Sequence, residues 1–163
     1  MSKVSSWTIR QAGEADATAI ARVVNAAYRV EDFFIHGDRT YEQEVLSMMA
    51  SGRFLVAMPA RNADEIDGAI FLRTEGEEGY FGMLAVDPPA QRQGLGRKLV
   101  EAAEETFAEA GCRRVRLVAP HLREELFPWY RAQGYVERRT LPFPEPEKLK
   151  QPAHMVELVK ELA

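Results

Sequence analysis

The segment from Met83 to Val100 constrains the fold more than any other part of the chain. Its pattern predicts an apolar strand, a turn marked by Pro88 and Pro89, a loop with two glycines, and the start of a helix. Glycine lets the backbone come close to a ligand, and the first helical turn presents free N–H groups and the positive end of the helix dipole. The segment therefore predicts an anion-binding junction of the kind that holds a pyrophosphate.

Length and composition limit what such a chain can be. The 163 residues suit one domain over 1–163, with a core at about 7–160. A net charge of -4 argues against general binding to nucleic acid, which usually needs a basic patch. One cysteine, Cys112, allows no disulfide within the chain, and no segment approaches the ~20 apolar residues of a membrane helix. Without a signal-peptide pattern either, we expect a cytoplasmic protein that binds no membrane.

Hydrophobic periodicity and turn signals predict the element order β-α-α-β-β-β-α-β-α-β-β. This order indicates a mixed α/β fold, with a mixed, mostly antiparallel sheet of about seven strands and helices on both faces. Thr40 and Gln43 have the spacing of a capping box, which would start the second helix, and Gly52 would follow its end. Gly82, inside a predicted strand, suggests a β-bulge or a close backbone approach.

Other families with glycine-rich loops fit the sequence less well. A dinucleotide-binding fingerprint needs a third glycine where Leu99 stands, and an acidic residue about 20 positions on, where Arg116 stands. A phosphate-binding Walker loop needs serine or threonine after Lys98, and the chain has Leu99. A junction whose glycines only permit tight packing is the remaining alternative.

The chain resembles the superfamily of GCN5-related N-acetyltransferases (GNAT) from Trp7 to about Val159. The strongest part is the Gln-x-x-Gly-x-Gly pattern at 91–96, which follows a strand and a proline-marked turn. The second part is the aromatic segment 127–135, in which Tyr130 stands four residues before a glycine followed by a tyrosine. Their order and spacing make the resemblance more specific than either part alone.

The resemblance implies acetyl-CoA as co-substrate, with no metal. In the family the loop holds the pyrophosphate of CoA, and the pantetheine arm lies along the preceding strand. Many relatives carry asparagine where this chain has Arg123, so that contact is either lost or replaced by a contact to a CoA phosphate. The expected cofactor-binding residues are Leu84, Ala85, Val86, Gln91, Arg92, Gln93, Gly94, Leu95, Gly96, Arg97 and Arg123.

The resemblance gives Tyr130 the catalytic role, near the thioester sulfur, where a phenol can protonate or hydrogen-bond to the departing thiolate. The alternative for Tyr130 is packing in an aromatic core. The general base is open because the strand before the loop, 80–83, contains no acid, and candidates lie elsewhere in the sequence. Those candidates are Glu31, Asp32, His36 and His121.

The acceptor should bind between the first two helices, their loop and the proline-rich arm at 141–152. The loop concentrates aromatic and charged side chains, which suits a small ligand with an amine, although ordinary packing over the sheet would also explain them. The histidines and Cys112 lack metal-ligand spacing. The acceptor residues expected here are Tyr28, Glu31, Phe33, His36 and His121.

These features predict an acetyl-CoA-dependent N-acetyltransferase that moves the acetyl group directly to a primary amine. A small-molecule acceptor fits best, a protein amine also fits, and the resemblance allows a homodimer. The first alternative is a non-catalytic acyl-CoA-binding or sensing module of the same fold, which the acid-free strand favours. An interaction domain without a CoA site, and a transferase for larger acyl groups or for hydroxyl acceptors, stay open.

Overall fold

The computed structural model describes residues 6–162, in which seven strands and four α-helices alternate largely as predicted. None of these helices is long and apolar enough to cross a membrane. In chain order the elements are β1 (Trp7–Gln11), α1 (Ala17–Tyr28), α2 (Glu42–Met48), β2 (Arg53–Pro59), β3 (Gly68–Glu75), β4 (Glu78–Val86), α3 (Leu95–Glu109), β5 (Arg114–Pro120), α4 (Leu126–Ala132), β6 (Val136–Pro142) and β7 (His154–Glu161).

The strands form one sheet in the order β1-β2-β3-β4-β5-β7-β6. Strand β4 pairs with β5 in parallel, and every other neighbouring pair is antiparallel. The parallel pair follows from the connection through α3, because a crossover helix returns the chain to the same edge at which the first strand began. The predicted mixed, mostly antiparallel sheet of seven strands is confirmed.

Helices cover both faces of the sheet, and each face has its own apolar core. On one face α1 buries Ile20 and Val24 against β2, β3 and the second half of β4. On the other face α3 buries Leu99 and Phe107, and α4 adds Tyr130 to the same cluster. The apolar stripes at helical spacing in the sequence are these buried faces.

The start of α2 differs from the sequence prediction. The helix begins at Glu42, and the predicted capping box of Thr40 is wrong because the backbone of Thr40 is instead bound on both sides by Asn25 of α1. Gly52 has no left-handed backbone, so its predicted role as helix C-cap is also wrong. A side chain there would collide with the carbonyl oxygen of Leu72, so the glycine permits a close approach to β3.

A buried carboxylate ties the last strands together. The side chain of Glu157 on β7 is fully buried and accepts hydrogen bonds from Nε of Arg138 at 2.7 Å and Nε of Arg139 at 2.9 Å. Arg116 of β5 approaches the same carboxylate at 3.7 Å. Burial alone would raise the pKa of Glu157, but the hydrogen bonds from the two β6 arginines hold it below its ordinary value.

We expect Glu157→Gln to destabilise the fold by roughly 1.5–3 kcal/mol at pH 7, the usual contribution of hydrogen bonds to a charged group. Because the folded state lowers the pKa of Glu157, the unfolded chain takes up a proton first on acidification. The stability that Glu157 contributes is therefore present above the ordinary pKa of glutamate and lost as the pH falls through the folded value. Urea denaturation from pH 7 to pH 3 measures this loss.

Glu161→Gln is the matched control, since Glu161 lies on the same strand with its side chain 73% exposed. We expect the control to behave like the wild type. An acid-induced loss of stability equally steep in wild type and Glu157→Gln would contradict the assignment.

Candidate active site

The sheet opens where β4 leaves β5. The two strands pair at three positions, and the last pair joins Tyr80 to Arg116. Beyond it β5 continues to pair with β7 as far as Pro120, while β4 continues to pair with β3 as far as Val86. The edges of β4 and β5 that face each other beyond Tyr80 therefore bound a cleft, in which backbone groups have no strand partner.

A β-bulge in β4 lies at the opening of this cleft. Ala85 pairs with Ala69 and Gly82 pairs with Phe71, so two β4 residues stand opposite one residue of β3. Met83 is one of the two and has a φ of 49°, a rare value for a side chain of this kind. The bulge reverses the alternation of side chains, which places Phe81 in the core under α3 but Met83 in the core under α1.

Gly82 has a different role from the bulge suggested for it. A Cβ at Gly82 would lie 2.6 Å from the hydroxyl oxygen of Tyr80, so the missing side chain leaves room for that phenol. The Tyr80 ring lies between two guanidinium groups, with Arg73 at 4.8 Å and Arg116 at 4.7 Å from its centroid. Gly82 thus makes room for a side chain of its own strand, and the predicted β-bulge lies one residue further on, at Met83 and Leu84.

The glycine loop connects the end of β4 to α3. Nε2 of Gln91 donates a hydrogen bond of 2.9 Å to the carbonyl oxygen of Val86 and so closes the loop onto β4. Arg92 and Gly94 both have left-handed backbones, with φ of 66° and 86°. Left-handed residues in such a turn direct successive N–H groups into one concavity, and α3 adds its own free N–H groups from Leu95 onward.

The loop touches α4 at one point. A Cβ on Gly96 would lie 3.3 Å from the indole of Trp129, which is tighter than an ordinary van der Waals contact. Trp129 directly precedes Tyr130, so the first turn of α3 and the segment that carries the tyrosine pack against each other through this glycine.

Tyr130 lies in the wall of the cleft, together with Phe81, Leu84 and Ala119. The ring is buried and packs near Phe81, with ring centroids 6.1 Å apart. Burial raises the pKa of Tyr130, and the nearby phenol of Tyr28 raises it further. The hydroxyl therefore keeps its proton more firmly than an ordinary tyrosine and is a hydrogen-bond donor in the lining of the cleft.

A buried ion pair crosses the cleft to the loop after α1. Oε2 of Glu31 lies 2.8 Å from Nη1 of Arg123, and the Nε of the same arginine lies 2.9 Å from Glu125. Burial raises the pKa of Glu31 even though the hydrogen bond from Arg123 lowers it. Burial also raises the pKa of Tyr28, to about 12, and Tyr28 lines the cleft beside Glu31. Two of the expected acceptor residues thus meet the expected catalytic residue in one cavity.

The other expected acceptor residues lie outside this cavity. Phe33 is 53% exposed, and His36 is exposed on the same loop. His121 stacks on His154 with 3.9 Å between ring centroids, and its Nδ1 accepts a hydrogen bond of 3.0 Å from the backbone N–H of His154. Among residues 6–162, no three histidine, cysteine, aspartate or glutamate side chains are placed to hold a metal ion.

Several residues that line the cleft were not predicted. Tyr80 and Met155 come from strands whose alternation gave no sign of a ligand, and Phe143, Glu145 and Lys148 come from the proline-rich arm, where no periodicity assigns a direction to side chains. The sequence analysis expected the arm to contribute to the acceptor site, but it did not indicate which residues of the arm would line the cleft.

A family model described as "Acetyltransferase (GNAT) family" matches residues 19–135 of the chain, which include the glycine loop, Tyr130 and the Glu31–Arg123 pair. A sequence search of curated proteins found no match.

Solved structures share the fold across nearly the whole chain. The ribosomal-protein-S18-alanine N-acetyltransferase of Escherichia coli is 16% identical, with 97% of this chain and 95% of that one covered and a TM-score of 0.77. A putative phosphinothricin N-acetyltransferase is also 16% identical, with coverage of 97% and 99% and a TM-score of 0.79. A putative acetyltransferase from Salmonella typhimurium, solved with its cofactor acetyl-CoA, is 19% identical, with coverage of 96% and 94% and a TM-score of 0.73.

We expect Arg123→Gln to lower the free energy of unfolding by roughly 3–5 kcal/mol, because it leaves a buried carboxylate without its partner. Glu31→Gln should lower it by less. Arg123 keeps Glu125 when Glu31 is neutralised, so the second variant loses less. Without Arg123 the pKa of Glu31 rises further above its unfolded value, and the cost of Arg123→Gln should grow as the pH rises. Urea denaturation at pH 5 and pH 8 measures both effects; equal costs for the two variants, or a cost of Arg123→Gln that does not change with pH, would contradict the arrangement.

Proposed function

The chain belongs to the GNAT family of acetyltransferases, and we propose that it transfers the acetyl group of acetyl-CoA directly to a primary amine bound in the cleft. The observation that carries this proposal is the position of Tyr130, which lines the cleft between β4 and β5 and directly follows Trp129, the residue that packs against Gly96 of the glycine loop. A phenol there can stabilise a departing thiolate, and the glycine loop can bind the phosphates of the same co-substrate.

The co-substrate would extend along β4. Its pyrophosphate would lie in the concavity made by the left-handed residues of the loop and by the first turn of α3. Its pantetheine arm would run along the free edge of β4 beyond the bulge and use backbone groups that lack a strand partner. The residues proposed to contact it are those predicted from the sequence: 84–86, 91–97 and Arg123.

The transfer needs three events in the cleft. The lone pair of the amine nitrogen forms a bond to the thioester carbonyl carbon, and the backbone N–H of Leu84 or Ala85 holds the oxyanion that results. The carbon–sulfur bond then breaks, and the electron pair leaves on sulfur, to which Tyr130 donates a hydrogen bond or a proton. The substrate ammonium must first lose a proton, because only the neutral amine has a lone pair, and we assign Glu31 as the carboxylate that accepts this proton.

Glu31 supplies a carboxylate that the cleft-lining segment of β4, residues 80–84, lacks. The acid-free strand is the observation that favours a non-catalytic acyl-CoA-binding module, because an amine with a pKa near ~10.4 costs about 4–5 kcal/mol to deprotonate at neutral pH. Glu31 brings a buried carboxylate to the cleft from the loop after α1. Its raised pKa makes it a better proton acceptor than an ordinary glutamate.

Acetyl-CoA should raise the melting temperature of the wild-type protein, and Gly94→Glu should abolish this shift. The substitution places a carboxylate where the phosphates are expected and forces a side chain into a backbone of φ 86°. Gly111→Glu is the matched control: Gly111 follows the other end of α3 with φ 87°, and neither position has neighbouring atoms within 4 Å of an added Cβ. Both variants carry the same backbone strain, so equal shifts in both would contradict the loop assignment.

Tyr130→Phe should lower kcat by about 100-fold or more and leave the acetyl-CoA affinity within a factor of two or three, because it removes a proton donor but keeps the ring. Tyr135→Phe is the control, since Tyr135 is buried in the same aromatic cluster but its hydroxyl donates to Glu104 at 2.7 Å. Steady-state release of CoA over a panel of amines measures kcat. An unchanged kcat in Tyr130→Phe would remove its catalytic role, and binding of acetyl-CoA with no acetylated amine would favour the non-catalytic module.

A further inference from the structure

Two segments close the cleft on the side away from the glycine loop. The loop after α1 and the arm after β6 are joined by backbone hydrogen bonds, from Lys150 to Phe34 and from His36 to Lys148, each of 2.8 Å. The Nζ of Lys150 also donates to the carbonyl oxygen of Asp32 at 2.6 Å. These contacts make a short two-stranded strap, and both of its segments contribute residues to the cleft lining.

The strap limits the shape of the acceptor. An extended polypeptide that passes through the cleft would need the path that the strap occupies, and its entry would break these backbone hydrogen bonds. An acceptor that ends inside the cleft needs no such path. The strap therefore favours an acceptor whose amine is terminal over an internal side chain of an extended polypeptide that passes through.

Among residues 6–162, the charged side chains that line the cleft are paired, with the exception of Arg39. Glu31 pairs with Arg123, Lys148 pairs with Glu145 at 2.9 Å, and Asp38 pairs with Arg29. Arg39 also lines the cleft, but among residues 6–162 it has no carboxylate within 4.0 Å. Its guanidinium instead lies over the ring of Tyr28, 5.5 Å from the centroid. Arg39 is exposed, the carboxylate of Glu31 acts on its charge only from beyond salt-bridge distance, and an aromatic ring positions it.

We propose that the acceptor is a small primary amine that also carries a carboxylate, and that Arg39 binds this carboxylate. The proposal rests on the proposed function, since it concerns the acceptor of the same transfer. A guanidinium binds a carboxylate through two parallel N–H bonds, and this geometry fixes the far end of the acceptor. Glu31, which lines the same cleft, would face the amine of the acceptor. The positive charge of Arg39 disfavours polyamines, which carry several ammonium groups and no anion.

The test compares amines that differ in one group. Purified full-length protein with acetyl-CoA is given L-methionine or L-methioninamide, L-phenylalanine or L-phenylalaninamide, spermidine, and a hexapeptide with a free N-terminus. CoA release gives kcat/KM, and mass spectrometry identifies the product. We expect the free acid of at least one pair to exceed its amide by roughly tenfold or more, as one charge-assisted hydrogen bond would produce. Intrinsic reactivity runs the other way, because the amide has the less basic amine and so more of the neutral form.

Arg39→Gln should remove the preference for the acid, and Arg39→Lys should keep part of it, while both retain the thermal shift with acetyl-CoA. Arg113→Gln, an exposed arginine outside the cleft lining, is the charge-matched control and should keep the full preference. Amides acetylated as well as acids, a preference for spermidine or the peptide, or an acid preference unchanged in Arg39→Gln would overturn this proposal while leaving the transferase function intact. A thermal shift with acetyl-CoA but transfer to none of these amines would overturn the transfer reaction itself, and this proposal with it.

Discussion

The divergence of β4 from β5 is the constraint on which the rest of the molecule depends. Two parallel strands in one sheet would normally pair along their length, and here they stop after Tyr80 and Arg116. Before this point the strands are held by hydrogen bonds and by the stacking of Tyr80 between two arginines. After it, the bulge at Met83 turns β4 toward β3, and β7 holds β5 on its other side. The sheet thus has a permanent opening where unpaired backbone can meet a ligand.

The opening would be of little chemical use if it were only a gap in an apolar core. Five groups with shifted pKa values line it, and in three of them, Tyr28, Glu31 and Tyr130, burial is the leading cause of the shift. Two of them are phenols that burial keeps protonated, and the third is the carboxylate of Glu31, which burial makes more basic. The hydrogen bond from Arg123 opposes that rise. The same cavity therefore holds a hydrogen-bond donor and a carboxylate that is more basic than an ordinary glutamate.

Sequence reasoning recovered the parts of this arrangement that depend on local chemistry. The element order, the sheet type and the glycine loop follow from periodicity and from turn residues such as proline and glycine, and the structure confirms the fold. It failed where tertiary contacts overrode a local signal, as at Thr40, whose backbone is taken by Asn25. The Glu31–Arg123 pair joins residues 92 positions apart, so no window of sequence could reveal it. The proline-rich arm is also far in sequence from the other residues of the cleft, so the sequence could not show which of its residues line the cleft.

The contact between Gly96 and Trp129 fixes how closely the start of α3 can approach α4. The first turn of α3 and the residue before Tyr130 are separated by a hydrogen atom where any other amino acid would place a carbon. Whatever shifts the helix start also presses on the indole, and the indole adjoins the phenol in the chain. Gly96 therefore sets the spacing between the glycine loop and the segment that carries Tyr130, so a larger residue there would displace the wall of the cleft as well as the start of α3.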